Sequence, residues 1–493
     1  MEKPLYITTT LPYVNAEPHV GFAMEIIRAD VIARYHESCG RDVFFNTGTD
    51  EHGQKLLADA EKAGVPVKEY VDRFAEKFRE LAPLLGISDT VHFIRTTDTH
   101  HEFAAQEMWR KCDAAGYIYK KNYEAKYCVG CELEKTDSEL DENGRCPIHP
   151  NKDLEIINEE NYFFAFSKAA SLLEKLYAEK PSLVVPDFRF NEMKAFLSRG
   201  LQDFSISRLK SKMPWGVAVP GDDAHVMYVW FDALTNYIST LGWPQSIEAS
   251  HEGDTEDLYE KFWVNGEKVQ YCGKDNTRQQ SMMWQAMLLA AGLPTTDTVV
   301  IDGFINSGGQ KMSKSLGNVI RPAEVIALFK DASQFPEDVL RFVLLHDIPS
   351  FEDGDMTLDS VSRSYMTYLA NGIGNLTSRI MKMATSYGVT ISEAVPVYMP
   401  EVAVQFANYD LTLGMKEIQS RVSTIDEKIA VYQPFKTIKE DEAKAKLQVE
   451  ELLIDLRQVA YTLSPFLPRT AKEILLLIRE NKMPEKPLFG RLS

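Results

Sequence analysis

The sequence predicts an α/β fold on a parallel sheet, followed by a long helical region, with a closed metal site in the first half of the chain. Three observations lead there. Strand, helix, strand and helix alternate through the first sixty or so residues, the rhythm of a parallel sheet. Two cysteine/histidine pairs with knuckle spacing, Cys128-Val129-Gly130-Cys131 and Cys146-Pro147-Ile148-His149, flank a short polar segment. Beyond Arg321-Pro322 the apolar spacing is helical almost to the end.

Size and composition set the outer bounds. The chain has 493 residues, 44% hydrophobic and 26% charged, enough for about three ordinary globular domains. Its net charge of −18 argues against indiscriminate nucleic-acid binding, although a local basic face can still meet RNA. Six cysteines in so long a chain are not a disulfide framework. No run of 18 or more apolar residues is present, so no membrane span is expected. The opening Met1-Glu2-Lys3-Pro4 lacks the layout of a secretion signal, and a cytoplasmic location is expected.

The first strand is Leu5-Tyr6-Ile7-Thr8-Thr9-Thr10, β-branched and aromatic as a buried strand should be. A loop, Leu11 to Pro18, leads to helical spacing from His19 that stops at Gly40. A short strand, Val43 to Asn46, and a helix from about Asp50 to Ala63 follow. Ligands of such sheets bind beyond the carboxyl ends of the strands, which puts the Leu11–Gly21 and Thr47–Gly53 loops at one rim. His19 stands at a helix N-terminus, where it serves either as a cap or beside an anionic ligand. Asp50, Glu51 and His52 are adjacent and point in different directions, a poor arrangement for one metal ion.

The two knuckles offer three thiols and an imidazole, which suits tetrahedral zinc with no open position, hence a structural ion. Cys39, Cys112 and Cys272 lie outside the set and are expected to be buried thiols. Ser207 to Lys212 is locally basic, either a solvated face or an RNA-facing one. Val226 to Tyr237 reads as strand then helix, its Trp230 and Tyr237 otherwise ordinary core aromatics. Val269 to Asp275 is a strand ending in Gly-Lys-Asp, and Val299-Val300-Ile301 is the last core strand.

After it comes Gly308-Gly309-Gln310-Lys311-Met312-Ser313-Lys314-Ser315. Glycines permit a bend and close approach, and Lys311 and Lys314 offer point charges suited to phosphate. Lysines alone would be a surface loop, but the string matches the KMSKS signature of class I aminoacyl-tRNA synthetases. The order strand, Leu11-Pro12-Tyr13, Pro18-His19-Val20-Gly21, helix resembles the HIGH motif of the methionyl-tRNA synthetase family. Motifs in matching order run along essentially the whole chain.

The resemblance implies a class I synthetase Rossmann-like parallel sheet split by a zinc-containing insertion, then an all-α anticodon-binding domain. It places the first half of the catalytic domain at residues 1–115, the insertion at 116–225 and the second half, with the lysine loop, at 226–320. A stem-contact region would take 321–355 and the helical domain 356–493. The implied activity is methionine activation by ATP and transfer to tRNA(Met), initiator included. The implied catalytic residues are Lys314, Lys311 and His19. ATP would be held by His19, Gly21, Gly273, Asp275, Phe304, Ile305 and Lys314. Methionine would be held by Leu11, Tyr13, Asp50, Trp230, Tyr237 and Gln280, with Asp50 facing the ammonium group and the aromatic walls suiting a thioether. The family's structural zinc falls on Cys128, Cys131, Cys146 and His149, and magnesium accompanies ATP. Asn375, Arg379 and Phe435 would read the CAU anticodon by stacking and edge hydrogen bonds. The absence of an appended tRNA-binding module implies a monomer.

Two positions depart from the pattern. Phe22 replaces the second histidine of HIGH, and a phenyl ring donates no hydrogen bond to ATP. Gln279-Gln280 replaces a phenylalanine–histidine pair, keeping a neutral polar group in the pocket. These departures keep open a non-catalytic RNA-binding paralogue; a class I synthetase for another amino acid such as cysteine, leucine or valine is a separate alternative.

Overall fold

The computed structural model describes residues 2–131, 133–135, 137–244, 257–312, 317–392 and 396–492. Lys314 therefore lies outside the described residues. The chain forms two compact units. The first gathers Met1–Glu17, Arg41–Arg79 and Thr90–Ile301; the second gathers Pro18–Gly40, Glu80–Asp89 and Asp302–Ser493.

The first unit is built on a six-stranded sheet. Its strands run in the order His92–Arg95, Val43–Thr49, Leu5–Thr8, Glu267–Gly273, Thr298–Asp302, Val184–Val185. Leu5–Thr8 pairs in parallel with both Val43–Thr49 and Glu267–Gly273. All four residues of Leu5–Thr8 are buried, which is why the strand shows no polar alternation. The strand order reverses between Leu5–Thr8 and Glu267–Gly273, so their carboxyl ends open a crevice of the kind where ligands of such sheets bind. The helix Thr99–Ala114 sends Ala104, Ala105, Met108, Trp109 and Cys112 into the same core as Tyr6 and Phe44, following its 3.6-residue period.

Between the third and fifth of these strands in sequence order, an antiparallel sheet forms from Leu133–Lys135, Ile118–Cys128, Glu155–Phe164 and Phe204–Ser205. Ile118–Cys128 and Glu155–Phe164 pair from Ile118↔Phe164 to Tyr127↔Glu155. Val184–Val185 lies inside the stretch expected to be the insertion, and it joins the parallel sheet by pairing with Val299–Val300. Asp222–Met227, the strand expected near Val226, pairs antiparallel with Ser207–Leu209 and Ala218–Val219, outside the parallel sheet.

The second unit holds the helix Val20–Ser38 and the C-terminal helices. Val20–Ser38 is buried along most of its first four turns, including Arg28 and Asp30. A buried charge needs a partner and satisfied hydrogen bonds. Arg28 donates to Asp302 at 2.9 Å and to the carbonyls of Ile348, Pro349 and Ser350. Asp30 pairs with Arg34 and Arg341, each at 2.8 Å. Burial holds the Asp302 carboxyl above its usual range against the pull of Arg28. Arg28→Met leaves Asp302 buried without its cation and should destabilise the chain by roughly 3–5 kcal/mol, read as a fall in thermal midpoint. Arg28→Met with Asp302→Leu should recover part of that loss.

The helical region begins at Pro322–Leu328 and runs to Pro468–Glu480, interrupted by the short strand Gly354–Asp355. Asp410 and Asp441 cap the two longest helices, accepting from Leu413 N–H at 3.1 Å and Lys444 N–H at 2.9 Å. Among the described residues no helix is long and apolar enough to cross a membrane. One expectation about the thiols fails. Cys112 and Cys272 are buried, but Cys39 is exposed, because it caps the end of Val20–Ser38 after the buried face of that helix has run out.

Candidate active site and metal centre

The candidate metal centre assembles at the end of a strand. Ile118–Cys128 finishes on Cys128, and a tight turn closes with Cys131 N–H donating to the Cys128 carbonyl at 3.2 Å. The second turn repeats this, His149 N–H donating to the Cys146 carbonyl at 3.1 Å. The three sulfurs and one ring nitrogen lie within 4.8 Å of one another. Cys131 Sγ is 3.5 Å from Cys146 Sγ and 3.2 Å from His149 Nδ1, close to the edges of a tetrahedron around an ion. Gly130 is required here, since a Cβ would stand 2.6 Å from the His149 ring. Burial opposes ionisation of the Cys146 thiol, but backbone N–H groups of His149 and Ile148 and the Cys131 thiol bring it below its usual value. The donor set therefore fits a tetrahedral, thiolate-preferring metal.

Tyr127 precedes the first ligand and packs with Tyr228 and Val229, and Tyr13, Val129 and Trp230 lie against this group. Arg208 is buried, its guanidinium 4.4 Å from the Tyr228 ring centroid and 5.1 Å from that of Tyr127. It donates to Ser205 Oγ and to the Ser207 carbonyl. Of the basic stretch Ser207–Lys212, this arginine belongs to the interior.

Beyond the carboxyl end of Leu5–Thr8 the loop is tied to the end of Val43–Thr49. Asp50 N–H donates to the Pro12 carbonyl at 2.9 Å, and Val14 N–H donates to the Asp50 carbonyl at 3.2 Å. These bonds set Tyr13 beside Asp50, whose side chain is buried. The residues after Asp50 are locked. Glu51 takes a two-pronged bond from Arg95 at 2.7 Å for each nitrogen, and bonds from Thr49 and Thr97. His52 Nδ1 lies 2.9 Å from Asp232 Oδ2, and the Trp215 indole donates to the Glu51 carbonyl at 2.6 Å. Burial works against a charged His52, but Asp232 outweighs it and raises the imidazole pKa.

Asp232 sits on the helix Val229–Ala233 with Trp230, which is half-buried. Tyr237 is buried, with its ring 5.8 Å from that of Trp284, and its hydroxyl receives the Gln280 amide at 2.6 Å. Glu267–Gly273 ends where a turn carries Asp275, which is exposed. The Asp275 carboxylate folds back over Gly273, where a Cβ would come within 2.9 Å of it.

In the second unit, His19 caps Val20–Ser38, its Nδ1 accepting Gly21 N–H at 3.0 Å. Lys311 ends a hairpin. Ile305–Ser307 pairs with Gln310–Lys311 across Gly308 and Gly309, both at positive φ, 61° and 74°, as the tight two-residue turn demands. Gly309 N–H donates to Asp355 Oδ1 at 2.7 Å, and Lys311 Nζ lies 4.7 Å from the centre of the Phe304 ring. Lys311 acts on His19: burial first, then this nearby cation, pushes the imidazole pKa down to about 4. His19 is therefore neutral at neutral pH.

A family model described as tRNA synthetases class I (M) matches residues 5–154 and 133–381. The chain belongs to the methionyl-tRNA synthetase family. A methionine–tRNA ligase of Fusobacterium nucleatum is 34% identical over 96% of the chain and 74% of that protein. One from Nostoc is 36% identical over 96% of the chain and 89% of that protein. Among solved structures, the Mycobacterium tuberculosis methionyl-tRNA synthetase in complex with methionyl-adenylate is 31% identical. It superposes with a TM-score of 0.88 over 99% of this chain and 100% of that one. The class I fold with its parallel sheet and helical C-terminal region, and methionine–tRNA ligase activity, go with that membership.

On this methionyl-tRNA synthetase fold, the side chains expected to hold methionine all fall in the first unit, and so do the metal ligands. His19, Gly21, Phe304, Ile305 and Lys311 fall in the second unit, as do Asn375, Arg379 and Phe435. Asn375 is exposed at the start of Asn375–Tyr387; one turn on, Arg379 is ion-paired with Asp426. Phe435 is about half exposed, at 49%. Sequence reasoning missed Arg95, Asp232 and Trp215, the residues that brace the Asp50 loop. Asp232 gave a signal as a charge in an otherwise apolar run, whereas Arg95 and Trp215 gave none.

Proposed function

We propose that the chain works as a monomer in the cytoplasm, converts L-methionine and ATP to methionyl-adenylate and pyrophosphate, and passes the methionyl group to the terminal adenosine of tRNA(Met), initiator included. The likeness to a methionyl-tRNA synthetase solved with methionyl-adenylate carries this reading, and the influence of Lys311 on His19 agrees with it. That influence sets the first lysine of the KMSKS string and the histidine of the HIGH-like string in one electrostatic environment, although they are far apart in sequence.

His19, Gly21, Phe304 and Ile305 would hold ATP, with Gly273 and Asp275 taking the ribose hydroxyls. Leu11, Tyr13, Trp230, Tyr237 and Gln280 would enclose the thioether, with Asp50 opposite the ammonium group. Gln280 donates to the Tyr237 hydroxyl, which fixes the orientation of that ring edge in the pocket. The methionine carboxylate attacks the α-phosphorus and pyrophosphate leaves. The attacker is already an anion, so no protein nucleophile or general base is needed. Catalysis is then positioning and charge stabilisation, with Lys311 and Lys314 neutralising the departing phosphates. Magnesium bound to ATP would supply further neutralisation. The 2′-hydroxyl of the terminal adenosine of tRNA then attacks the methionyl carbonyl, the acyl–phosphate bond breaks, and AMP leaves with the hydroxyl proton passing to its phosphate.

The cysteine/histidine centre is read as structural zinc in an insertion spanning 116–225, and residues 356–493 as the anticodon-binding region. The donor set supports zinc, because three thiolates and an imidazole with no open position match its preference. Cys128→Ser should lower bound zinc from about one equivalent per chain to well below half, with a lower thermal midpoint, by metal analysis and melting.

The deciding assay is ATP–pyrophosphate exchange across a panel of amino acids. Exchange with methionine alone is expected; exchange with cysteine or leucine but not methionine would overturn the substrate. No exchange at all in a zinc-loaded preparation that still binds tRNA would favour the RNA-binding alternative.

A further inference from the structure

The first residues of the helix Val20–Ser38 are arranged around one imidazole. Gly21 N–H donates to His19 Nδ1 at 3.0 Å, so that nitrogen is the acceptor and the neutral ring carries its proton on Nε2. Gly21 also keeps one side of the ring open, since a Cβ there would stand 2.7 Å from His19 Cε1. The other constraint is Phe22, whose ring centre lies 4.5 Å from that of His19 with the planes 33° apart.

We propose that Phe22 is a positioning residue, clamping the His19 imidazole so that Nε2–H is the donor presented to the nucleotide. A phenyl ring at this position cannot itself contact a phosphate by hydrogen bonding. What it offers is an apolar face that excludes water from the imidazole and restricts its rotation. The inference rests on the reading of His19 as an ATP contact.

The charges around His19 agree with a neutral donor. The first turn of its own helix carries no acidic side chain. From the hairpin, Lys311 adds positive charge, and with burial it pushes the imidazole pKa down to about 4. An imidazole in that state keeps the same proton on the same nitrogen throughout the neutral range. It can donate to an oxygen of ATP without changing charge.

The test uses the full-length chain with nitrogen-15-labelled histidine, the His19 signals being assigned with His19→Gln. In the parent chain the Nε2–H tautomer should persist from pH 8 down to about 5. Phe22→Leu keeps an apolar side chain without the ring face. It should move the His19 titration midpoint up by about one unit or more, toward that of a free imidazole. It should also lower kcat for ATP–pyrophosphate exchange about tenfold and bring an acid limb into the pH profile. Phe22→Tyr restores a ring and should restore both readouts. Gly21→Ala, which drives a methyl into the imidazole without altering Phe22, should disturb the same signals. It serves as the second variant if Phe22→Leu melts early. An unchanged tautomer and midpoint in folded Phe22→Leu would overturn the proposal. A shifted midpoint with unchanged exchange would support the clamp and overturn instead the assignment of His19 to ATP.

Discussion

Lys314→Ala lowers the rate of methionyl-adenylate formation by about a hundredfold or more, the scale on which loss of one preorganised transition-state donor is felt. The hairpin that ends at Lys311 supports this. Its turn is fixed by two glycines at positive φ and by the bond from Gly309 N–H to Asp355, so the strand reaches Lys311 in a defined direction. Lys311 rests against Phe304 and acts on His19. The second lysine, three positions on, would then follow the charge that grows on the leaving phosphates. A loss of kcat with little change in KM for methionine marks an interaction made in the transition state. Pre-steady-state measurement of adenylate formation separates this from slow product release. An unchanged rate would remove Lys314 from the mechanism.

The second large effect is expected at Asp50. Asp50→Ala removes the carboxylate opposite the substrate ammonium, and truncating one partner of a buried charge pair costs about 2–5 kcal/mol. The KM for methionine in exchange should therefore rise at least thirtyfold or so, by the same arithmetic. The loop around Asp50 has little freedom to compensate. Glu51 is held by Arg95 and two threonines, and His52 is held by Asp232. A methionine analogue lacking the amino group is the control, and it should inhibit the parent and Asp50→Ala about equally. Equal discrimination against that analogue in both proteins would mean that Asp50 does not face the ammonium group.

How far the sequence could be read depended on whether the signal was local. The strands Leu5–Thr8, Glu267–Gly273 and Thr298–Asp302 announced themselves by β-branched and aromatic runs, and each overlaps the stretch its composition marked, with ends shifted by one or two residues. The four candidate metal ligands could be picked out because ligand spacing within each knuckle is set by one turn of backbone, and the structure brings them together. Val184–Val185 was not legible: two valines carry no period, and their strand exists only because Val299–Val300 offers them an edge. Arg28 and Asp302 show the same limit. Each is a charge in an apolar stretch, and only the fold reveals that one answers the other. Cys39 was misjudged because thiols are usually buried, whereas this one stands at a helix end. For the substrate pocket, the side chains were named from resemblance alone, while the braces behind Asp50 depended on contacts from distant parts of the chain.

The edge strand Val184–Val185 bears on any attempt to redesign the molecule. A cassette cut out from 116 to 225 would take with it the outermost rung of the parallel sheet and expose the flank of Val299–Val300 to pairing with other chains. A minimal catalytic scaffold would have to retain the short run around Val184, or blunt the bared flank with a charge, before it could remain dispersed in solution.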